Sequence, residues 1–206
     1  MQLSNKIFIW LIALACLVSF FSSFGSKLNL IEPIFFNKFL ISFNQIQFYD
    51  FKTTYLINNE WWRLITPMFI HFSSTHLIFN SLWIYILGRE IEQLDGKIIF
   101  IFLILLTSIS SNYLQYSFSG PSLFGGLSGV VYGLLGYCFV SETFLRINKF
   151  SFPPAIYIFM FVWLLIGFTG FLDLLGFGKI ANFAHLGGLL SGILSGYIFS
   201  MYNKKT

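Results

Sequence analysis

Four polar side chains in a very apolar chain set the chemistry this sequence can support. Ser128 and His185 are the reactive pair. A serine hydroxyl becomes a nucleophile when an imidazole removes its proton as attack begins and later returns that proton to the leaving amine. The tetrahedral oxyanion formed on the way needs hydrogen-bond donors. Backbone N–H groups of Leu127 and Ser128 are expected at a helix N-terminus, where they carry partial positive charge. His76 and Asn80 would add side-chain donors. Gly125 and Gly126 let the preceding loop bring its backbone close to a substrate. Tyr132, one turn beyond Ser128 on the same helix face, is placed to buttress the imidazole ring.

These groups must be brought together, and composition says in what medium. Of 206 residues, 56% are hydrophobic and only 10% are charged. A soluble domain carries about 25% charge to wet its surface, so the chain reads as an integral membrane protein, and disorder is excluded. The net charge of +4 does not indicate nucleic-acid binding, because the twelve Lys and Arg are spread along the chain. Cys16 and Cys138 lie inside apolar runs, with no CxxC, no zinc spacing and no expected disulfide.

A spanning helix takes about 20 mostly apolar residues. Six candidates run from Ile7 to Phe24, Thr75 to Ile91, Ile98 to Tyr116, Gly126 to Phe139, Ala155 to Leu175 and Ala181 to Met201. The first has some features of a signal peptide, but its apolar stretch continues well past Cys16, which suits a retained helix. With a cytoplasmic N-terminus, Lys6, Arg89, Lys97, Arg146, Lys149, Lys204 and Lys205 fall inside, and Lys179 alone lies in a short outside loop. Both termini are therefore expected in the cytoplasm. The long first loop, Gly25 to Ser74, is rich in aromatic and aliphatic residues broken by Asn and Lys. It reads as short helices half-submerged at the membrane surface, with Trp61-Trp62-Arg63 at the interface.

With alternating topology, the second, fourth and sixth segments enter from one side. His76, Asn80, Ser128 and His185 then share one depth near the outer leaflet, whichever way the chain is oriented. Lateral approach follows from glycine. Gly129, Gly133 and Gly136 on the fourth segment, and Gly188, Gly192 and Gly196 on the sixth, have the small-xxx-small spacing that lets backbones meet in lipid. His185 lies within about 60° of the second ridge at 100° per residue, and Ser128 stands beside Gly129. Each signal alone is weak: a membrane Ser often bonds its own helix, and Gly126-Leu127-Ser128-Gly129 is not the GxSxG of soluble hydrolases. Their conjunction carries the reading.

In that combination the residues resemble the rhomboid family of intramembrane serine proteases. Trp62-Arg63 resembles the family's WR pair, and His71, His76 and Asn80 reproduce its H-x4-H-x3-N element. Gly126-Leu127-Ser128-Gly129, with Tyr132 beyond, is similar to its GxSG motif. Ala184-His185 with Gly188 and Gly192 resembles its AH-x2-G-x3-G element. The likeness covers about Trp62 to Gly196. It implies an all-α, six-transmembrane-helix bundle in one domain, with residues 1–24 as the first helix, 25–74 as a half-embedded loop organised by Arg63, and 75–201 as helices two to six. Ser128 and His185 would form a dyad without an acidic third member. His76, Asn80, Leu127 and Ser128 would line the oxyanion hole, and the fifth helix with its following loop would gate access. Substrates would be single-pass membrane proteins cut in or near the transmembrane helix, in the lipid of a bacterial plasma membrane, with no cofactor, metal or nucleic acid. A mitochondrial address is not expected, because the N-terminus lacks a transit pattern.

Other residues carry lesser expectations. Glu92 matches a family glutamate that holds helix ends together. Asp173 lacks a helical register with His185 and is disfavoured as a third catalytic member. Asn182, three residues before His185, is placed to orient it. His71 is read as a surface residue supporting the first loop or the site entrance. Two other functions are open to the sequence. One is a non-catalytic membrane adaptor or chaperone that binds transmembrane helices, although such relatives typically lack the Ser or the His. The other is a metal-dependent hydrolase or transporter using His71, His76 and His185, which lacks HExxH and has poorly aligned histidines.

Overall fold

The computed structural model describes residues 6–43, 45–144, 149–175 and 179–203. Helices occupy all six expected places: α1 (Ile7–Phe21), α3 (Ser74–Trp83) running on into α4 (Arg89–Leu94), α5 (Lys97–Ser119), α6 (Ser128–Phe139), α7 (Pro154–Gly167) and α9 (Asn182–Asn203), with short α2 (Leu28–Ile31) and α8 (Phe171–Leu174) between them. Wide π-type turns at Ile84–Gly88 and Val140–Phe144 join α3 to α4 and extend α6. Among the described residues, α5 alone is long and apolar enough to cross a membrane by length and composition; α1 and α7 are shorter apolar helices.

Helix ends are settled locally or by distant partners. The Ser73 hydroxyl caps α3 by accepting the His76 N–H at 3.2 Å. No side chain next to α1 caps its start; instead the Glu92 carboxylate accepts the Phe8 N–H at 3.0 Å. This places Glu92, 4% exposed, as a tie between the ends of α1 and α4. Pro154 opens α7, where its missing N–H is not needed.

The fifth expected segment, drawn to Leu175, is shorter in the structure. α7 stops at Gly167, the Thr169 hydroxyl bonds back to the Ile166 carbonyl at 2.6 Å, and Gly170 takes a left-handed φ of +76°. Hydropathy runs on past this point, whereas the backbone turns. Three of the charges used for orientation, Arg146, Lys204 and Lys205, lie outside the described residues, and Lys149 is paired with Asp95.

The core is a seam of backbone on backbone. A Cβ at Gly188 would fall on the Gly129 carbonyl oxygen, and one at Gly192 on the Gly133 carbonyl oxygen. α5 closes the other side, with Ser111 against Gly129 and Thr107 against Gly133. α6 and α9 thus meet along a strip of backbone, and α5 joins them through the small side chains of Ser111 and Thr107, the packing that small residues permit where there is no hydrophobic drive.

The first loop departs from expectation. It holds short helical turns but also an antiparallel hairpin, β1 (Phe39–Ser42) and β2 (Gln45–Phe48), with Phe39 opposite Phe48. The hairpin and α2 bury Ile31, Phe35 and Phe39 against Ile70, while Phe36, Tyr55 and Phe124 form a second cluster. Arg63, expected at the interface, is 2% exposed. Its guanidinium bonds the Glu32 carboxylate at 3.0 Å, the Glu32 carbonyl, the Phe35 carbonyl at 3.1 Å and Glu60 at 2.5 Å. Burial raises the Glu60 carboxyl, but Lys38 and Arg63 together outweigh that and hold it below the usual range. Trp62, half exposed, donates its indole N–H to the Pro33 carbonyl at 3.0 Å. From beneath, Ser108 and Asn112 of α5 donate to the Ile65 and Leu64 carbonyls at 3.1 and 2.8 Å.

Gly192→Ala should destabilise the fold by more than about 3 kcal/mol, beyond ordinary overpacking, because a backbone carbonyl cannot step aside as a side chain can. Thermal unfolding in detergent reads this directly, and an unchanged midpoint would refute the close seam.

Candidate active site

The loop ahead of α6 is bent to present its first residue. Gly126 has φ +116°, a region L side chains rarely adopt, and its N–H donates to the Pro67 carbonyl at 3.0 Å. Gly125 lies so close to the Pro67 and Ile70 carbonyls that a Cβ there would come within 2.8 Å of each. The loop is thus seated on the Pro67–Ile70 turn, and α6 begins at Ser128, two residues later than the sequence indicated.

From there the glycine seam sets the rest. His185 lies near the start of α9, and its Nε2 is 2.8 Å from the Ser128 hydroxyl oxygen. Tyr132 stacks on the imidazole, ring centres 4.6 Å apart and planes 28° from parallel. The tyrosine is itself fixed, donating its hydroxyl to the Met160 carbonyl of α7 at 3.0 Å. Among the described residues no carboxylate lies within ion-pair distance of His185. Asp173 is exposed on α8. Asn182 does not orient the imidazole: its amide donates to the Gly167 carbonyl at 2.9 Å and ties the end of α7 to the start of α9. The start of α9 is held instead by Gln115, whose carbonyl accepts the Ala184 N–H at 3.1 Å.

His76 and Asn80 come from α3 to the same place. A Cβ at Gly126 would stand 2.6 Å from His76 Cε1 and 3.5 Å from Asn80 Nδ2, so both side chains face the turn before Ser128. A space of about 20 Å³ is bounded by His76, Asn80, Ser128 and His185 among others. It opens beside a chamber of about 280 Å³ that includes Ser128, His76 and His185.

His71 is where the structure departs most from the sequence reading. It is fully buried, not at the surface. Its Nε2 lies 3.3 Å from the Leu127 N–H and 3.1 Å from the Asn80 amide nitrogen, and its Nδ1 3.3 Å from the Phe69 carbonyl and 3.5 Å from the Ser19 hydroxyl. Two donors at Nε2 and a carbonyl at Nδ1 specify one tautomer, protonated on Nδ1. Burial, with a smaller contribution from His76, pulls this imidazole down to about 3, so it stays neutral and accepting. The Leu127 N–H, expected to serve an oxyanion, is therefore already engaged by His71. Asn80 spends one amide hydrogen on His71 and keeps the other. The H-x4-H-x3-N spacing hints at this role for His71, but nothing in the sequence points to Ser19.

Of the remaining expected residues, Trp62 and Arg63 build the first loop and Glu92 ties α1 to α4; none of the three lines the chamber. Gly129, Gly188 and Gly192 form the seam. No group of three or more His, Cys, Asp and Glu side chains arranged to hold a metal occurs among the described residues.

Because Gln can accept a hydrogen bond where Nε2 does, His71→Gln should retain most activity, whereas His71→Phe should lower kcat at least tenfold with KM little changed. The folded imidazole resists protonation from its ordinary 6.5 down to about 3. Its contribution to stability is therefore complete above pH 6.5 and is lost as pH falls toward 3. His71→Gln should flatten that part of the stability profile, measured by thermal unfolding across pH; equal slopes in both proteins would contradict the assignment.

The rhomboid-domain family profile matches residues 58–202. The chain is 39% identical over 136 residues to the rhomboid protease GlpG of Serratia proteamaculans, covering 66% of this chain and 47% of that protein. It is 35% identical over 150 residues to the protein of that name from Haemophilus influenzae, covering 72% and 75% respectively. The corresponding Klebsiella pneumoniae protein is 34% identical over 146 residues, covering 71% and 51%. The chain thus spans about half the length of two of these bacterial relatives and three-quarters of the third.

Proposed function

The chain belongs to the rhomboid family of membrane proteins, and from that premise we propose that it is a serine endopeptidase acting within the membrane on single-pass transmembrane proteins. The observation that carries the proposal is the 2.8 Å approach of His185 Nε2 to the Ser128 hydroxyl. In the reaction, His185 takes the Ser128 proton as Oγ attacks the scissile carbonyl. Negative charge then develops on the carbonyl oxygen, within reach of the small space beside His76 and Asn80. The Ser128 N–H, the free Asn80 amide hydrogen and the His76 ring are its donors. One such donor is worth about 2.7–4 kcal/mol in comparable sites. Collapse of the intermediate expels the amine, which takes the proton from His185, and leaves an acyl-Ser128 ester. Water, deprotonated by the same imidazole, hydrolyses that ester. With no carboxylate within ion-pair distance of His185 among the described residues, the Tyr132 stack takes over the task of holding the ring in plane.

The same reading takes the six helical regions as membrane crossings, with α4 and the start of α7 on the cytoplasmic side and the Ser128 loop on the outer side of a bacterial inner membrane. A helical substrate hides its scissile carbonyl in its own hydrogen bonds, so segments with helix-breaking residues beyond the cut are favoured. The three-quarter coverage of the H. influenzae protease supports the assignment.

A fluorophosphonate probe should label the purified, detergent-solubilised protein, and Ser128→Ala and His185→Ala should both abolish labelling and cleavage of a single-pass test substrate. Undiminished cleavage by Ser128→Ala would overturn the mechanism. His76→Ala should lower kcat by about 10²–10³ with little change in KM; a loss confined to KM would remove His76 from the oxyanion site.

A further inference from the structure

The chamber at Ser128 continues sideways. A second cavity of about 480 Å³ adjoins it, and the two share Leu123, Lys179, Ile180 and Ala181. The new cavity lies between the end of α5 and the start of α9, and its lining is unlike the apolar surfaces around it. The Gln115 carbonyl oxygen accepts the Ala184 N–H, and its amide donates one hydrogen to the Ser119 hydroxyl at 2.9 Å. Its second amide hydrogen and the Ser119 proton remain to be given. Lys179 is exposed at the shared wall and makes no ion pair among the described residues. Among the described residues no carboxylate lines either cavity. What the lining leaves unspent is the donors of Gln115 and Ser119 and one positive charge, beside a single buried acceptor, the Asn182 Oδ1. That chemistry fits a carboxylate.

We propose that this cavity is a substrate subsite that takes an Asp or Glu side chain flanking the scissile bond, with Lys179 as the residue that sets the preference. The proposal rests on the protease reading above. A pair in an open chamber is worth up to about 1 kcal/mol, a factor of about five.

The test uses the purified full chain and a series of single-pass substrates that differ only by one Asp, Asn or Lys placed in turn at each position flanking the cut. Wild-type protein should show kcat/KM about three- to fivefold higher for Asp than for Asn at one position, and the preference should shrink with added salt. Lys179→Gln should abolish it, and Lys179→Glu should reverse it in favour of Lys at that same position, each read as the ratio of kcat/KM between charged and neutral substrates within one variant. Labelling and cleavage without any charge preference, or a Lys179 effect that tracks anionic lipid content and not substrate charge, overturns the subsite and leaves the protease intact. A wild-type protein that neither labels nor cleaves overturns both.

Discussion

The approach of two helix backbones at Gly129–Gly188 and Gly133–Gly192 is the constraint on which the site depends. Neither Ser128 nor His185 is reactive alone. Their 2.8 Å separation exists because nothing larger than hydrogen lies between α6 and α9 one turn further along. Among the described residues no carboxylate lies within ion-pair distance of His185, and the seam offers another way to hold the pair. Backbone contact fixes the two helices in translation, and the Tyr132 ring fixes the imidazole in rotation. An aspartate orients the imidazole by hydrogen bonding in soluble serine proteases; on the reading proposed above, packing would do so here.

A second layer holds the donors. The turn at Pro67–Ile70 seats Gly125 and Gly126, and His71 binds the Leu127 N–H and the Asn80 amide to one nitrogen. The chain just before the turn is secured from two directions, by Ser108 and Asn112 of α5 donating to the Ile65 and Leu64 carbonyls and by the Arg63 cluster of the first loop. Arg63 thus acts at a distance: its bonds run to the carbonyls of Glu32 and Phe35, and the Phe35 ring with Ile31 and Phe39 closes the loop against Ile70.

Much of this was legible in the sequence, for physical reasons. Glycine spacing, helical phase and the shared depth of His76, Asn80, Ser128 and His185 are local or periodic properties, and the segments that carry them were placed to within a few residues. What escaped was set by tertiary partners. His71 looks like a surface residue until Ser19, Asn80 and Leu127 are brought around it, and Ser19 is 52 residues away. The end of α7 was missed because hydropathy runs on smoothly through Phe171 and Leu172, while Thr169 and Gly170 turn the backbone. The β-hairpin reads as surface helix in the sequence, since apolar runs broken by Asn and Lys suit either, and only the pairing of Phe39 with Phe48 decides between them.

The seam also has a meaning in time. Ser128 and His185 are 57 residues apart, and the helix that brings the base is made last of the two. At ribosomal rates of about 5–20 residues per second, the serine waits roughly three to eleven seconds for its partner to be synthesised, and longer for α9 to dock. Throughout that interval the nascent chain presents the Ser128 hydroxyl without the His185 imidazole that would activate it. On the protease reading, translation order would act as a safety catch on the unfinished protein.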